Sequence, residues 1–320
     1  MGPTQVIRES SGCEISTIGV DAALTMQKCD ENLAVLGIDA INAYNAVDRS
    51  GLYIFCCEDL LDTSTYVYNM YGGSLDVQFD AKHKIEFRQG LGQGLTTSFL
   101  FYSAIKHKVQ SKVNAKMMRS YLDFDSPFQC DYIDDGLQVM HYKYIPEYVA
   151  LSKSEYNNYC IGINRHKTEI ILNTSNEAII HYIQQNMVGY KYNFEDNCEY
   201  LSIPHGTEEY INEKMAKIYM KLQRKLLNIM LINDAQIRIQ LLKKFMDYNK
   251  VIYQLKNCAV KGNWIKQFEE IYQFIQKSIT SQLSFKNTVK YQIQMTKKRG
   301  GMGLRSPLQF IKQQKYQLFL

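Results

Sequence analysis

The chain has 320 residues, 46% of them hydrophobic and 22% charged, with 24 tyrosines. That is enough for a real core in one large domain or two modest ones, and too apolar for a disordered chain. No apolar run of about 18 residues occurs, and MGPTQVIRESSGCEIS has no apolar signal core, so neither a membrane span nor secretion is expected and the site of action is read as intracellular, nucleus or cytoplasm.

The net charge of +5 is unevenly divided. Residues 207–320 hold 21 Lys/Arg against 7 Asp/Glu, and residues 1–206 hold 16 against 25. An acidic first part beside a basic second part suggests a metal-binding centre next to a polyanion track; a solvated lysine-rich face explains the same numbers. The eight cysteines include no C-x-x-C pair, so a zinc ribbon is not indicated and buried free thiols are expected. The six histidines show no ligand spacing and no Ser-His-Asp arrangement.

In chain order, LAVLGID (33–39) reads as a buried strand closing on Asp39, and the stretch from Asn42 to Gly73 as helix and turn. VQFD and KIEFRQG alternate as a hairpin, and residues 96–118 form a long buried helix. CDYIDDGLQVM (130–140) is a second hairpin with Tyr132-Ile133-Asp134-Asp135-Gly136 as a tight turn. A helix near 146–160 and short strands EIIL and EYLSI follow. From 207 the texture becomes helical, with Ile211, Met215, Ile218, Leu222, Leu226 and Ile229 as an amphipathic stripe, and 234–256 and 263–283 behave alike. The fold class is therefore α+β followed by basic helices.

Aspartates end two such strands. If the strands are neighbours, Asp39 and Asp134 converge, and carboxylates held together repel unless a cation sits between them. Mg²⁺ takes hard oxygen ligands and often one or two carboxylates with substrate phosphates. Because side chains alternate along a strand, one of Asp134 and Asp135 should face Asp39, and Asp134 is the choice. Taken alone, the turn at 132–136 reads first as an ordinary hairpin tip; the apolar flanking strands and the second strand-ending aspartate weigh against that.

DAINAYNAV from Asp39, RQGLGQG (88–94) and YIDD (132–135) together resemble reverse transcriptases, most closely those of non-LTR (LINE-type) retrotransposons. NYCIGINRHKTEIIL (158–172), EYLSIPHG (199–206) and KKRGGMGLRSP (297–307) are similar to further segments of that family. The resemblance implies a right-hand polymerase: an antiparallel palm sheet packed on helices with a remnant of fingers (1–206), an all-helical thumb (207–285) and a C-terminal extension (286–320).

It also implies the site. Asp39, Asp134 and Asp135 would bind two Mg²⁺ ions, Mn²⁺ being an alternative, with the Ala40 carbonyl as a further candidate ligand. Lys167 would act as a catalytic acid toward the leaving pyrophosphate. Tyr44 would crowd a ribose 2′-OH, Gln93 and Gly94 would lie beneath the incoming nucleotide, and Tyr200, Leu201 and Gly206 would position the primer end. The partners implied are an RNA template with a DNA primer and dNTPs. The family's finger strands precede its first aspartate, and only 38 residues precede Asp39, so a truncated palm and thumb is expected, with Arg8 the lone candidate from the fingers. Two other readings remain: a catalytically inactive relic that binds nucleic acid, and an RNA-dependent RNA polymerase, against which Tyr44 argues.

Overall fold

The computed structural model describes residues 12–282, apart from 79, 81–83, 93–94, 127, 196, 247–248 and 259–261, together with Met295 and Gly301. The chain divides into two compact units, residues 1–196 and 197–320. The hairpin around Tyr200 therefore belongs with the helical second unit.

The first unit opens with α1 (Gly12–Cys29), then β1 (Leu33–Gly37), β2 (Ala40–Ile41), α2 (Ala43–Ala46), α3 (Arg49–Asp59) and α4 (Leu61–Tyr71). Next come β3 (Leu75–Gln78), β4 (Lys84–Phe87), α5 (Thr96–Ser120), β5 (Phe128–Tyr132), β6 (Asp135–His141) and α6 (Ile145–Asn157). It closes with β7 (Gly162–Ile163), β8 (Glu169–Ile171), α7 (Glu177–Asn186) and β9 (Lys191–Asn193). The main sheet runs β5-β6-β1-β8-β9. All its pairings are antiparallel except β8 with β9, which α7 joins as a parallel crossover. Ala34, Val35 and Leu36 are all buried, which explains the unbroken apolar run: as the central strand, β1 is covered on both faces. Tyr102, Ile105 and Val109 of α5 and Tyr148 of α6 join its core.

The second unit holds β10 (Cys198–Tyr200), β11 (Ile203–His205), α8 (Glu208–Met230), α9 (Ala235–Phe245), α10 (Asn249–Asn257) and α11 (Gly262–Gln282). Thr207 caps α8, its hydroxyl accepting from the Tyr210 N–H at 3.3 Å. The predicted stripe of α8 faces the core, with Ile211, Met215, Leu222, Leu226 and Ile229 buried and Ile218 packed against them.

Several local expectations change. EYLSI is not one strand but the turn of the β10–β11 hairpin, with Leu201 and Ser202 at positive φ (49° and 62°). The 234–256 stretch breaks into α9 and α10. Only Cys56, Cys130, Cys198 and Cys258 are buried, while Cys29, Cys57 and Cys160 are exposed, so burial of the thiols is half of what was expected. Among the described residues no helix is long and apolar enough to cross a membrane.

Candidate active site

Three segments meet at one end of the main sheet. Gly37 of β1 lies opposite Leu137 of β6 on one side and Glu169 of β8 on the other. The chain just beyond β1, carrying Asp39, therefore emerges beside the start of β6 and the start of β8.

The segment between β7 and β8 wraps Asp39. The Asn164 N–H donates to the Asp39 carbonyl at 2.8 Å, and the Asp39 N–H donates to Thr168 Oγ1 at 3.1 Å. The Asn164 side chain also hydrogen-bonds the Asp39 carboxylate. Its Oδ2 is buried with no hydrogen-bond partner, which is costly for a carboxylate oxygen unless something else supplies a positive charge.

On the β5–β6 hairpin Tyr132 pairs with Asp135, so within the expected turn the two-residue tip is Ile133-Asp134. Ile133 sits at φ 56°, a region that β-branched residues rarely enter. Asp134 is at the tip, where the alternation argument for choosing it does not apply, and Asp135 is the first paired residue of β6. Burial raises the Asp39 carboxyl above its ordinary value, and the charge of Asp134 adds to the rise, against Lys167 and the Asn164 bond. Asp135 is raised by loss of surrounding water first, then by Asp134 and by Asp39, against Lys106 and Lys167. Carboxylates 95 residues apart in sequence thus act on one another.

Tyr44 stands at the same place. Burial first, then Asp134 and Asp135, push its phenol up to about 12. Its ring meets that of Tyr102 at 5.3 Å between centroids. Lys167 is exposed on the turn after β7, and its charge reaches both Asp39 and Asp135.

The Gly-rich segment docks against the turn that carries Tyr44. The Leu91 N–H donates to the Tyr44 carbonyl at 2.7 Å, and the Gly90 N–H to that of Val47 at 3.1 Å. Gly90 has φ +79°, and an added Cβ would overlap the Asn45 main chain, so only glycine allows this approach. Arg49, buried, donates to the carbonyls of Gly90, Gly73 and Phe87 at 3.0, 2.9 and 3.0 Å. Gln93 and Gly94 lie outside the described residues, as do Arg8 and 297–307 except Gly301.

Tyr200, Leu201 and Gly206 belong to the second unit: Tyr200 is buried, Leu201 is at the hairpin tip, and Gly206 precedes the Thr207 cap. On α8, Lys214 pairs with Glu199 and Lys217 with Glu213, while Lys221, Arg224 and Lys225 are exposed.

Sequence reasoning missed Asn164, Thr168, Arg49 and Lys106. Asn164 and Thr168 bracket Lys167 in N-R-H-K-T, a turn-like signal before a strand; nothing in sequence linked them to Asp39. Among the described residues no three His, Cys, Asp or Glu side chains form a ready-made metal cage. The residues do fit Mg²⁺ all the same. That ion commonly takes one or two carboxylates and completes its shell with water and substrate phosphates, and Asp39 Oδ2 is an unclaimed oxygen ligand.

No protein-family model matches the chain, and no curated protein does. Solved structures do resemble it. Telomerase from Candida albicans, in complex with a TWJ fragment of telomeric RNA, is 12% identical with a TM-score of 0.43, over 86% of this chain and 48% of that one. Apo telomerase from Candida tropicalis is 11% identical with a TM-score of 0.43, over 90% of this chain and 56% of that one. The chain spans about half the length of the structures it matches.

Proposed function

We propose that the chain is the polymerase core of an RNA-directed DNA polymerase of the reverse-transcriptase type, its first unit acting as palm and its helical unit as thumb. A LINE-type origin rests on the sequence motifs. The observation that carries the proposal is the strand register that ends β1 beside the starts of β6 and β8, so that Asp39 emerges next to the Asp134-Asp135 pair, with an aromatic ring and a lysine at the same end.

In this reading Asp39 and Asp134, supported by Asp135, hold Mg²⁺, with Mn²⁺ as substitute. Bound there, the ions would make the primer 3′-hydroxyl a stronger nucleophile and stabilise the leaving oxygen. The chain's own residues do the rest. Thr168 and Asn164 hold the Asp39 main chain from both sides. The Lys167 ammonium offers positive charge, and a proton, where negative charge develops on pyrophosphate. Tyr44 walls the space beside the carboxylates and leaves no room for a 2′-hydroxyl. Arg49 fixes the Gly90-Leu91 backbone against the turn that bears Tyr44. The RNA template, DNA primer and dNTPs are the partners this reading requires.

Primer extension on poly(rA)·oligo(dT) with Mg²⁺ tests it, with Asp134→Asn as control. Extension by the parent chain and its loss in the variant are expected. Extension that survives the substitution removes the carboxylate mechanism. A second reading, a relic that binds template–primer without turnover, is favoured by the exposed Lys221, Arg224 and Lys225. It predicts no extension, with binding that weakens steeply as salt rises.

A further inference from the structure

A buried polar seam runs beneath the hairpin tip. On α5, Lys106, Gln110 and Asn114 follow one another at four-residue spacing and so share a face. Lys106 is 3% exposed and Asp131 is fully buried, and they form an ion pair at 3.0 Å. Gln110 donates to one oxygen of Asp131 at 3.0 Å and Gln129 to the other at 3.2 Å. Asn114 donates to Gln129, and Gln138 to Asn114, each at 3.2 Å.

The same Lys106 ammonium makes a second bond: it donates to the main-chain carbonyl of Asp134 at 2.9 Å. Room for it comes from Gly136. A Cβ there would overlap Asp131 Oδ1 and lie 2.6 Å from Lys106 Nζ. Gly136 is thus needed for the buried pair and not for the turn, which is one residue pair earlier.

A buried ion pair is a poor way to gain stability, since apolar side chains of similar volume often fold as well or better. An apolar pair could not, however, donate to the Asp134 carbonyl. That carbonyl follows Ile133, whose φ of 56° is strained for a β-branched residue and persists only where the surroundings over-determine it. The Tyr132–Asp135 pair holds the tip from its two sides, and Lys106 holds it from below.

We propose that Lys106 is a positioning residue for the carboxylate hairpin: steadied by Asp131, its ammonium fixes the Asp134 main chain so that Asp134 and Asp135 present to a divalent cation. This rests on the reading that these carboxylates hold such a cation. It adds a role for two residues that touch neither substrate nor metal.

The test is Mn²⁺ binding by the full chain, read from the free-ion EPR signal and run beside primer extension. Two variants separate positioning from burial. Lys106→Met with Asp131→Asn removes both charges, so no lone charge is left buried, and also removes the bond to Asp134. Asp131→Asn alone keeps that bond. The double variant should keep the circular-dichroism spectrum of the parent and bind Mn²⁺ about tenfold or more weakly, the scale for losing a residue that orients a ligand. Asp131→Asn, which leaves the ammonium but takes away the carboxylate that steadies it, should bind between the parent and the double variant. Parent-like Mn²⁺ affinity in the folded double variant overturns the proposal. A measurement on the unaltered protein covers the case of a double variant that does not fold. The Lys106 ammonium resonance should shift when Mg²⁺ is added, and an unmoved resonance overturns the proposal. If the parent binds Mn²⁺ in a Lys106-dependent way yet extends no primer, the polymerase reading fails while the role of Lys106 stands. If the parent binds no Mn²⁺, the role of Lys106 falls as well.

Discussion

The main-chain N–H of Asp39 donates to the hydroxyl of Thr168 at 3.1 Å, across 129 residues of sequence. With the Asn164 N–H on the Asp39 carbonyl, this bond fixes where the first strand delivers its carboxylate. Thr168→Val keeps the shape of the side chain but leaves the Asp39 N–H without an acceptor. Urea unfolding should show a loss of about 1–3 kcal/mol, the usual cost of an unmet buried donor, and Thr168→Ser should recover most of it. A valine variant as stable as the parent would mean that the hydroxyl is idle.

The raised carboxyl of Asp39 has a signed consequence. Its proton is held more tightly in the folded chain than in the unfolded one. Between the ordinary carboxylate value near 4 and the raised value, stability therefore falls as pH rises, and the deficit is complete above the raised value. Asp39→Asn removes this deficit. In metal-free buffer at neutral pH the variant should melt above the parent, and the gap should close as pH falls toward about 4. Mg²⁺ should raise the parent's Tm and leave that of the variant unmoved. A gap that widens on acidification would contradict the assignment.

Tyr44 lies within reach of the charges of Asp134 and Asp135 and packs on Tyr102. Removing its ring with Tyr44→Ala should raise ribonucleotide incorporation relative to deoxyribonucleotide by about tenfold or more, equivalent to about 1.4 kcal/mol of lost discrimination. Tyr44→Phe keeps the ring and should keep the selectivity. Equal selectivity in all three proteins would remove Tyr44 from the sugar site.

Arg49 gathers three carbonyls from two segments, Gly73 after α4 and Phe87 and Gly90 at the end of β4 and beyond it, with one guanidinium. Arg49→Met leaves them unpaired and should cost on the order of 3 kcal/mol, seen as a lower urea midpoint. Arg49→Lys should recover only part, since an ammonium cannot reproduce the planar fork. Full recovery by lysine would show that charge alone is what the position supplies.

Much of the scaffold could be read from residue pattern because its signals are local. LAVLG is continuously apolar and becomes the central strand, and the α8 stripe recurs at steps of three and four and becomes a core face. The failures have physical causes. Leu201-Ser202 carries none of the Asn-Gly or Asp-Gly chemistry that marks a hairpin tip, so EYLSI passes for one strand. The Asp-Gly pair at 135–136 does carry that mark, yet the buried Lys106–Asp131 pair claims the glycine and the tip falls on Ile133-Asp134. Helix α1 has no sharp apolar stripe to announce it, although it packs on the sheet. At the site, the residue types of Asp39 and Asp134-Asp135 were legible. The Thr168 and Asn164 contacts with Asp39 were not, because nothing short-range ties residue 39 to residues 164–168.

The missing side chain at Gly136 bears on how this region can change over generations. Any replacement there must displace a charge that has no water to retreat into, so few exchanges at this codon leave the buried pair intact. Ile133, in the tip itself, is under the opposite pressure: glycine would relax its backbone, at the expense of a looser tip. The two positions thus make opposite demands on a substitution, one for an absent side chain and the other for a stiff one.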